Sequence, residues 1–455
     1  MEQKHKALVD KYNVPVPRYT SYPTMPYWDP RTFDRRRWED SVRFSFLESN
    51  VASGISLYIH LPFCESLCTY CGCNTRITKN HSVEEPYIAA VVKEWALYLE
   101  IFDSTPIIRE LHLGGGTPTF FSPENLRLLI SSILKDADVH PEAEFSFEAH
   151  PANTTEEHLQ VLFDLGFRRL SLGIQDFDPR VQFIINRHQS VDQVRTVTSQ
   201  ARSIGYTSIN YDLIYGLPLQ NMEGLVNTIN IVAGLEPDRI AFYSYAHVPW
   251  IKPGQRRFTE ADLPDPEQKS KLQELGRTLL LNYGYREIGM DHFALPADEL
   301  FIAEKDGRLH RNFMGYTEQH TQLLVGLGVS SISDSWYAFA QNVKTLEEYL
   351  SIVKKGEFPV FKGHGLSDED LQIRRHILDI MCKQHTSWRT ARIAGGLSEA
   401  WKRLEALEAD GLINLSDHGL QVTDTGKRFL RNICLCFDAR LWADKPSTQL
   451  FSMAI

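Results

Sequence analysis

No stretch of this chain has the run of apolar residues that a membrane span needs, and its opening, MEQKHKALVDKYNVPVPRYTSYPT, lacks the apolar core of a signal peptide. These absences predict a cytoplasmic protein with no membrane partner. A surplus of positive charge is missing too: 58 acidic side chains outnumber 48 basic ones, for a formal net charge of -10. That excludes a general affinity for nucleic acid phosphates, which needs a basic surface. Cysteine is sparse, with seven in 455 residues, yet four of them crowd into Cys64 to Cys73. Such crowding suits a metal centre in a reducing compartment better than a disulfide framework. With 43% hydrophobic and 23% charged residues the chain is ordinary for a globular protein, and its length predicts two or three domains.

Residues 1–50 are rich in Pro, Tyr, Arg and Trp without steady periodicity, and they read as an extended segment that packs on a domain. From residue 55 the pattern changes. ISLYIHL, IRELHLGG, AEFSFEAH, RRLSLGIQ, SINYDLIYG and RIAFYSYAH are short β-rich runs, and stretches of helical periodicity such as VEEPYIAAVVKEWALYLEIF separate them. Alternation of this kind implies parallel strands under covering helices. No clear dinucleotide fingerprint is present, so an α/β fold with a full or partial βα barrel over residues 51–255 is the expectation. In such folds chemistry collects where strands end at their C-termini. Cys64, Gly114 to Thr117, Glu148 and Gln175 follow or end the first four runs, with Asp212 and Ala246 in or near the next two.

After about residue 255 the alternation fades, and residues 256–455 read as a mainly helical C-terminal domain. Within it, LSEAWKRLEALEADGLINLSDHGLQVTDTGKRFLRNI reads as helix, strand, Asp-His-Gly turn, strand and helix, a winged-helix-like element. Its mixed charges and the acidic chain argue against DNA as its partner.

Three thiolates at Cys64, Cys68 and Cys71 can hold three irons of a cubane 4Fe-4S cluster and leave the fourth iron without a protein ligand. Neither the bacterial nor the plant-type ferredoxin spacing matches. A structural zinc site using Cys73 as a fourth thiolate is the plainer alternative, though zinc sites usually pair two separated ligand couples. The CxxxCxxC loop after a first apolar strand resembles the signature of the radical S-adenosylmethionine (SAM) superfamily. That resemblance implies a partial (β/α)6 barrel, with the amino and carboxylate groups of SAM on the open iron and the Tyr70 ring against the adenine. It leaves Cys73 as a cavity residue or an inert one. The glycines of Gly114-Gly115-Gly116-Thr117-Pro118 let backbone approach a ligand closely, while their plainer reading is a tight strand-to-helix turn.

The resemblance narrows to the oxygen-independent coproporphyrinogen III oxidases of haem synthesis. It is carried by Pro17-Arg-Tyr-Thr-Ser-Tyr-Pro-Thr24, Tyr58-Ile-His-Leu-Pro-Phe-Cys64, Cys71-Gly-Cys-Asn74, Gly289-Met-Asp-His-Phe-Ala294, His310-Arg-Asn-Phe313 and Arg431-Asn-Ile-Cys-Leu-Cys-Phe-Asp438. It implies two SAM molecules, contacted by Tyr58, Gly115, Gly116, Thr117, Glu148, Gln175, Arg187, Asp212, Ala246 and Ile332. Tyr58, Cys73 and Glu148 are the candidate catalytic side chains. The implied substrate is coproporphyrinogen III, and the implied partners are an electron donor such as flavodoxin or ferredoxin and an unnamed electron acceptor, with the enzyme a monomer. Arg18, Arg311 or the Arg35-Arg36-Arg37 run are candidate cations for the substrate carboxylates, the run reading first as solvated surface. Met314 departs from the Gln that follows His-Arg-Asn-Phe in some family members. Cys382, Cys434 and Cys436 read as buried packing residues. Rival readings are a related haem-binding chaperone and a radical SAM enzyme that modifies haem.

Overall fold

A computed structural model describes residues 2–388 and 398–454. Six parallel strands carry the fold: β1 (Ile55–Leu61), β2 (Ile107–Gly115), β3 (Asp138–Ala149), β4 (Phe167–Gln175), β5 (Ser208–Tyr215) and β6 (Arg239–Ser244). They lie side by side in that order, with Tyr58 opposite His112, Glu148 opposite Ser171 and Asp212 opposite Ala241. β1 is buried along nearly its whole length, as expected of a strand covered on both faces. The covering helices Glu84–Leu99, Pro123–Leu134, Glu156–Asp164, Val191–Ile204 and Met222–Gly234 alternate with the strands. Side chains fix their starts: Ser122, Thr155, Ser190 and Asn221 each accept a backbone N–H of the first turn.

The sheet continues past these six strands. Leu324–Leu327 pairs in parallel with β1, and Ile332–Asp334, Ala338–Asn342 and Val360–Gly365 extend that edge antiparallel. On the opposite edge His292–Ala294 and Arg286–Ile288 follow β6. These pieces are three to six residues long, too short to show the alternation that marked β1 to β6. The chain after residue 255 therefore contributes strands to the barrel sheet before its helical portion, including Asp368–Lys383, begins.

The N-terminal segment is extended only in its middle, between helices Glu2–Tyr12 and Arg35–Ser53. Asp34 caps the second helix, and Trp38, Val42 and Phe46, four apart, are buried against the barrel core. Each such buried side chain contributes about 1.5–3 kcal/mol. The Arg35 to Arg37 run lies on the outer face of that helix, paired with Glu39, Asp40 and Asp34, and faces solvent. The winged-helix-like element is present as helix Ser398–Ala409, strands Ile413–Ser416 and Gly419–Val422, and helix Leu430–Leu435. His385–Ser387 adds a third strand to it; Leu397, the first residue of that stretch, lies outside the described residues. Cys382, Cys434 and Cys436 are buried.

Candidate active site

The cysteine loop leaves β1 at its C-terminal end and is held mainly through its backbone. The Thr69 N–H donates to the Ile185 carbonyl (2.8 Å), Asn186 Nδ2 to the Leu67 carbonyl (2.8 Å), Gln255 Nε2 to the Tyr70 carbonyl (3.0 Å) and Lys252 Nζ to the Cys73 carbonyl (3.0 Å). With its main chain tied down from several elements, the loop turns Cys64, Cys68 and Cys71 into one cavity of about 230 Å³. Tyr70, Cys73, Gly115, Gly116, Thr117, Glu148, Gln175, Arg187 and Asp212 line the same cavity. Tyr58, Ala246 and Ile332 lie outside this lining. Tyr58 stacks on His112 behind it, the Ala246 carbonyl shares the Gln255 amide with that of Tyr70, and Ile332 stands one strand beyond Gly326, the register partner of Tyr58.

Each of the three thiols has a polar neighbour. Cys64 Sγ is 3.4 Å from Thr117 Oγ1, Cys71 Sγ accepts the Cys73 N–H at 3.4 Å, and Cys68 Sγ accepts from Arg187 at 3.6 Å. Among the described residues no three His, Cys, Asp or Glu side chains close on a single-ion position; the thiols are instead spread around a shared space. Cys73 is exposed; its N–H and carbonyl tie it to the loop, and its thiol interacts with that of Cys71.

The glycine turn runs against the base of the loop, with the Gly116 N–H on the Leu61 carbonyl (2.8 Å) and the Thr117 N–H on the Phe63 carbonyl (3.0 Å). Gly115 has φ +110°, and a Cβ there would stand 2.6 Å from the His60 ring; one on Gly116 would meet Pro62 backbone at 2.7 Å. Only glycine fits both positions. Gln175 is held at φ 67°, a costly backbone for a side-chain-bearing residue, and its buried Oε1 has no hydrogen-bond partner. An orphaned acceptor and a glycine cradle in a three-thiol cavity fit the open-iron cluster and the amino acid end of SAM.

Two carboxylates in the cavity are held differently. Burial pushes the Asp212 carboxyl up to about 7, helped by the charge of Glu148 and opposed by Asn210, Ser171 and Arg187. Burial acts on Glu148 in the same sense, but a hydrogen bond and charge from His112 and the Gly115 N–H outweigh it and hold Glu148 below the usual carboxylate range. At neutral pH Glu148 is an ionised acceptor and Asp212 sits near its midpoint. Arg187 is buried, its cation sustained against burial by Tyr70 and Cys68, and it also donates to the Gly173 carbonyl. His60 and His112 were not singled out from sequence. His60 bonds Tyr58 OH (3.1 Å) and the Asn74 carbonyl (2.9 Å), and His112 bonds Ser146 (2.8 Å) beside Glu148. Their place two residues from Tyr58 and Gly114, on the same strand faces, was the available signal.

Residues 58–232 match the Radical SAM superfamily. The oxygen-independent coproporphyrinogen III oxidase of Synechocystis sp. is 39% identical over 98% of this chain and 97% of its own length. That of Escherichia coli is 38% identical over 99% and 98%. This chain belongs to the oxygen-independent coproporphyrinogen III oxidase family. The solved Escherichia coli coproporphyrinogen III oxidase (HemN), described as a radical SAM enzyme, superposes with a TM-score of 0.88 at 36% identity, covering 95% of this chain and 98% of that one. Membership of the oxidase family brings a 4Fe-4S cluster and SAM as cofactors, and the three-thiol cavity has the donor set that fits them.

Proposed function

We propose that this chain oxidises coproporphyrinogen III without oxygen in haem biosynthesis, turning two propionate side chains into vinyl groups to give protoporphyrinogen IX. The observation that carries this reading is a three-thiol cavity at the C-terminal ends of a parallel barrel in a chain similar along nearly its whole length to enzymes of that name. When bound, the cluster and SAM would supply a 5′-deoxyadenosyl radical for hydrogen abstraction at the propionate β-carbon, and loss of carbon dioxide would pass one electron to the separate acceptor.

The chain's own residues hold and orient. Cys64, Cys68 and Cys71 would ligate the cluster, and the exposed Cys73 would not. The Gly115 to Thr117 backbone and the Gln175 amide oxygen offer partners to the amino acid end of SAM, with the Tyr70 ring placed for the adenine. Glu148 and Asp212 offer acceptors of different protonation to the ribose hydroxyls or the sulfonium, and Arg187 balances their charge. Tyr58, Ala246 and Ile332 would serve a second SAM molecule or the substrate side. Each turnover needs an electron donor such as flavodoxin or ferredoxin and a separate electron acceptor. A cytoplasmic monomer without nucleic acid or membrane partners belongs to the same proposal; among the described residues no helix is long and apolar enough to cross a membrane. The proposal also divides the chain at about residues 50 and 255 on sequence pattern; the barrel's hydrophobic cluster crosses both positions, taking in Trp38, Val42 and Phe46 before them and Leu272, Leu323 and Tyr349 after.

The test is anaerobic incubation of cluster-loaded protein with dithionite, SAM and coproporphyrinogen III. Protoporphyrinogen IX together with 5′-deoxyadenosine supports the reading. Tight haem binding without vinyl product would overturn it in favour of a carrier.

A further inference from the structure

The cysteine cavity is a poor receiver for a tetracarboxylate substrate, because it already holds Glu148 and Asp212 and its one buried arginine is engaged with Cys68 and Gly173. A surplus of cations stands next to it. Arg18, from the extended N-terminal segment, pairs with Asp291, which also accepts from His292 Nδ1 at 2.7 Å. Arg311 is buried at 4% exposure, with its guanidinium 4.4 Å from the centre of the Tyr316 ring, a 3.4 Å hydrogen bond to the Arg18 carbonyl and no partner for Nε. Arg431 bonds Ser452 and the main-chain carbonyls of residues 16, 17, 453 and 454. Among the described residues neither Arg311 nor Arg431 has a carboxylate within ion-pair distance, so three guanidinium groups face one carboxylate, Asp291.

The neighbourhood registers the imbalance. Burial and the charge of Arg18 push Arg431 down to about 10, and burial and the charge of Arg431 push Lys269 down to about 8. Asp291 stays ionised because Arg18, His292 and Arg311 outweigh its burial. Buried cations in excess of anions are costly unless an anion completes them.

Tyr243 joins this cluster to the barrel. Its hydroxyl is 3.5 Å from His292 Nε2, the Arg18 guanidinium lies 5.4 Å from its ring centre, and it stands on β6 two residues beyond Ala241, the register partner of Asp212. A cavity of about 60 Å³ reaches Arg18, Asp291 and Arg431 from beside Tyr215 and Ser244, at the C-terminal ends of β5 and β6. Glu274 and Glu287 on its wall are paired with Arg428 and Arg277, and Arg311 stands behind Arg18, through its bond to the Arg18 carbonyl, rather than in the lining. The cavity has room for a carboxylate and none for a tetrapyrrole ring.

We propose that Arg18 and Arg311 receive a propionate carboxylate of the substrate, with Asp291 and His292 positioning them and Arg431 fixing the N-terminal segment that brings Arg18 to the barrel. The planar guanidinium suits paired hydrogen bonding to a carboxylate. This inference rests on the function proposed above.

Its test uses coproporphyrin III, the stable oxidised form of the substrate, and its tetramethyl ester as fluorescent ligands of the cluster-loaded enzyme. Wild type is expected to bind the acid at least about tenfold more tightly than the ester. Arg311→Met and Arg18→Gln should weaken binding of the acid about tenfold or more, leave ester binding alone, keep wild-type SAM affinity and raise KM for coproporphyrinogen III more than they lower kcat. Arg311→Lys should recover part of the loss. Arg18, with 35% of its side chain exposed, carries the test if Arg311→Met does not fold. Unchanged KM and acid-to-ester preference in an enzyme that makes protoporphyrinogen IX would overturn the carboxylate cradle alone. Loss of SAM affinity would assign the arginines to SAM and overturn it too. A wild type that makes no vinyl product would instead bring down the function on which it rests.

Discussion

Arg187 donates to Cys68 Sγ across 3.6 Å while its Nε holds the Gly173 carbonyl at 3.1 Å. One buried cation thus ties the Cys68 thiol to the end of β4, where the unpartnered Gln175 amide oxygen sits. A hydrogen bond to a charged group is worth about 1.5–3 kcal/mol. Arg187→Met is therefore expected to slow reductive SAM cleavage by about ten- to a hundredfold. Iron content should stay near wild type, and Arg187→Lys should restore part of the rate. Measuring bound iron and 5′-deoxyadenosine formation together checks this; unchanged cleavage would leave Arg187 a packing residue.

The four cysteines of the loop should divide three to one. Alanine at Cys64, Cys68 or Cys71 removes a thiol from the cavity and should abolish iron retention after anaerobic reconstitution. Cys73→Ala keeps the N–H and carbonyl that bond Cys71 and Lys252, so its iron content should match wild type. Loss of iron from Cys73→Ala would point to a four-thiolate site.

Gly115→Ala combines a left-handed backbone with a 2.6 Å clash against His60, whereas at Gly284, with φ +94°, an added methyl group would meet no neighbour within 4 Å. Backbone strain alone costs on the order of 1–3 kcal/mol. Gly284→Ala should show that loss in urea unfolding, and Gly115→Ala a larger one together with weakened SAM binding. Equal losses at the two sites would mean that His60 yields and the cradle tolerates a side chain.

Much of this site was legible in the sequence. The six strand ends that bring Cys64, Gly115, Glu148, Gln175 and Asp212 together follow from period-two runs at regular spacing, because each run is long enough to alternate and each is followed by helical periodicity. Lys252 carries no local sign that it reaches the Cys73 carbonyl, since a contact between a sixth-strand loop and a first-strand loop exists only once the barrel closes. Arg311 was a candidate from sequence, but what sets it and Arg431 apart, burial without carboxylate partners among the described residues, appears only in the fold. The strands between residues 286 and 365 stayed hidden for a simpler reason: three to six residues cannot establish a period.

Glu94 gives a pH signature away from the active site. It is fully buried and accepts from the Gly328 N–H (2.8 Å), Tyr349 OH (2.7 Å) and Asn342 Nδ2 (2.6 Å). Burial nevertheless pushes its carboxyl from 4.5 up to about 7. Because the folded state keeps a proton that the unfolded chain has lost, this group's contribution to stability falls as pH rises from about 4.5 to about 7, by roughly 3 kcal/mol in all. Glu94→Gln should remove that decline, so the stability difference between variant and wild type should shift in the variant's favour across this range in urea titrations. A difference that does not change with pH would contradict it.

The most direct test of the account follows the hydrogen atom. Cluster-loaded enzyme is given coproporphyrinogen III carrying deuterium on its propionate β-carbons, with SAM and dithionite under anaerobic conditions, and the 5′-deoxyadenosine is analysed by mass spectrometry. The account predicts one deuterium transferred into 5′-deoxyadenosine for each vinyl group formed, and none with Cys68→Ala. Vinyl product accompanied by unlabelled 5′-deoxyadenosine would contradict it.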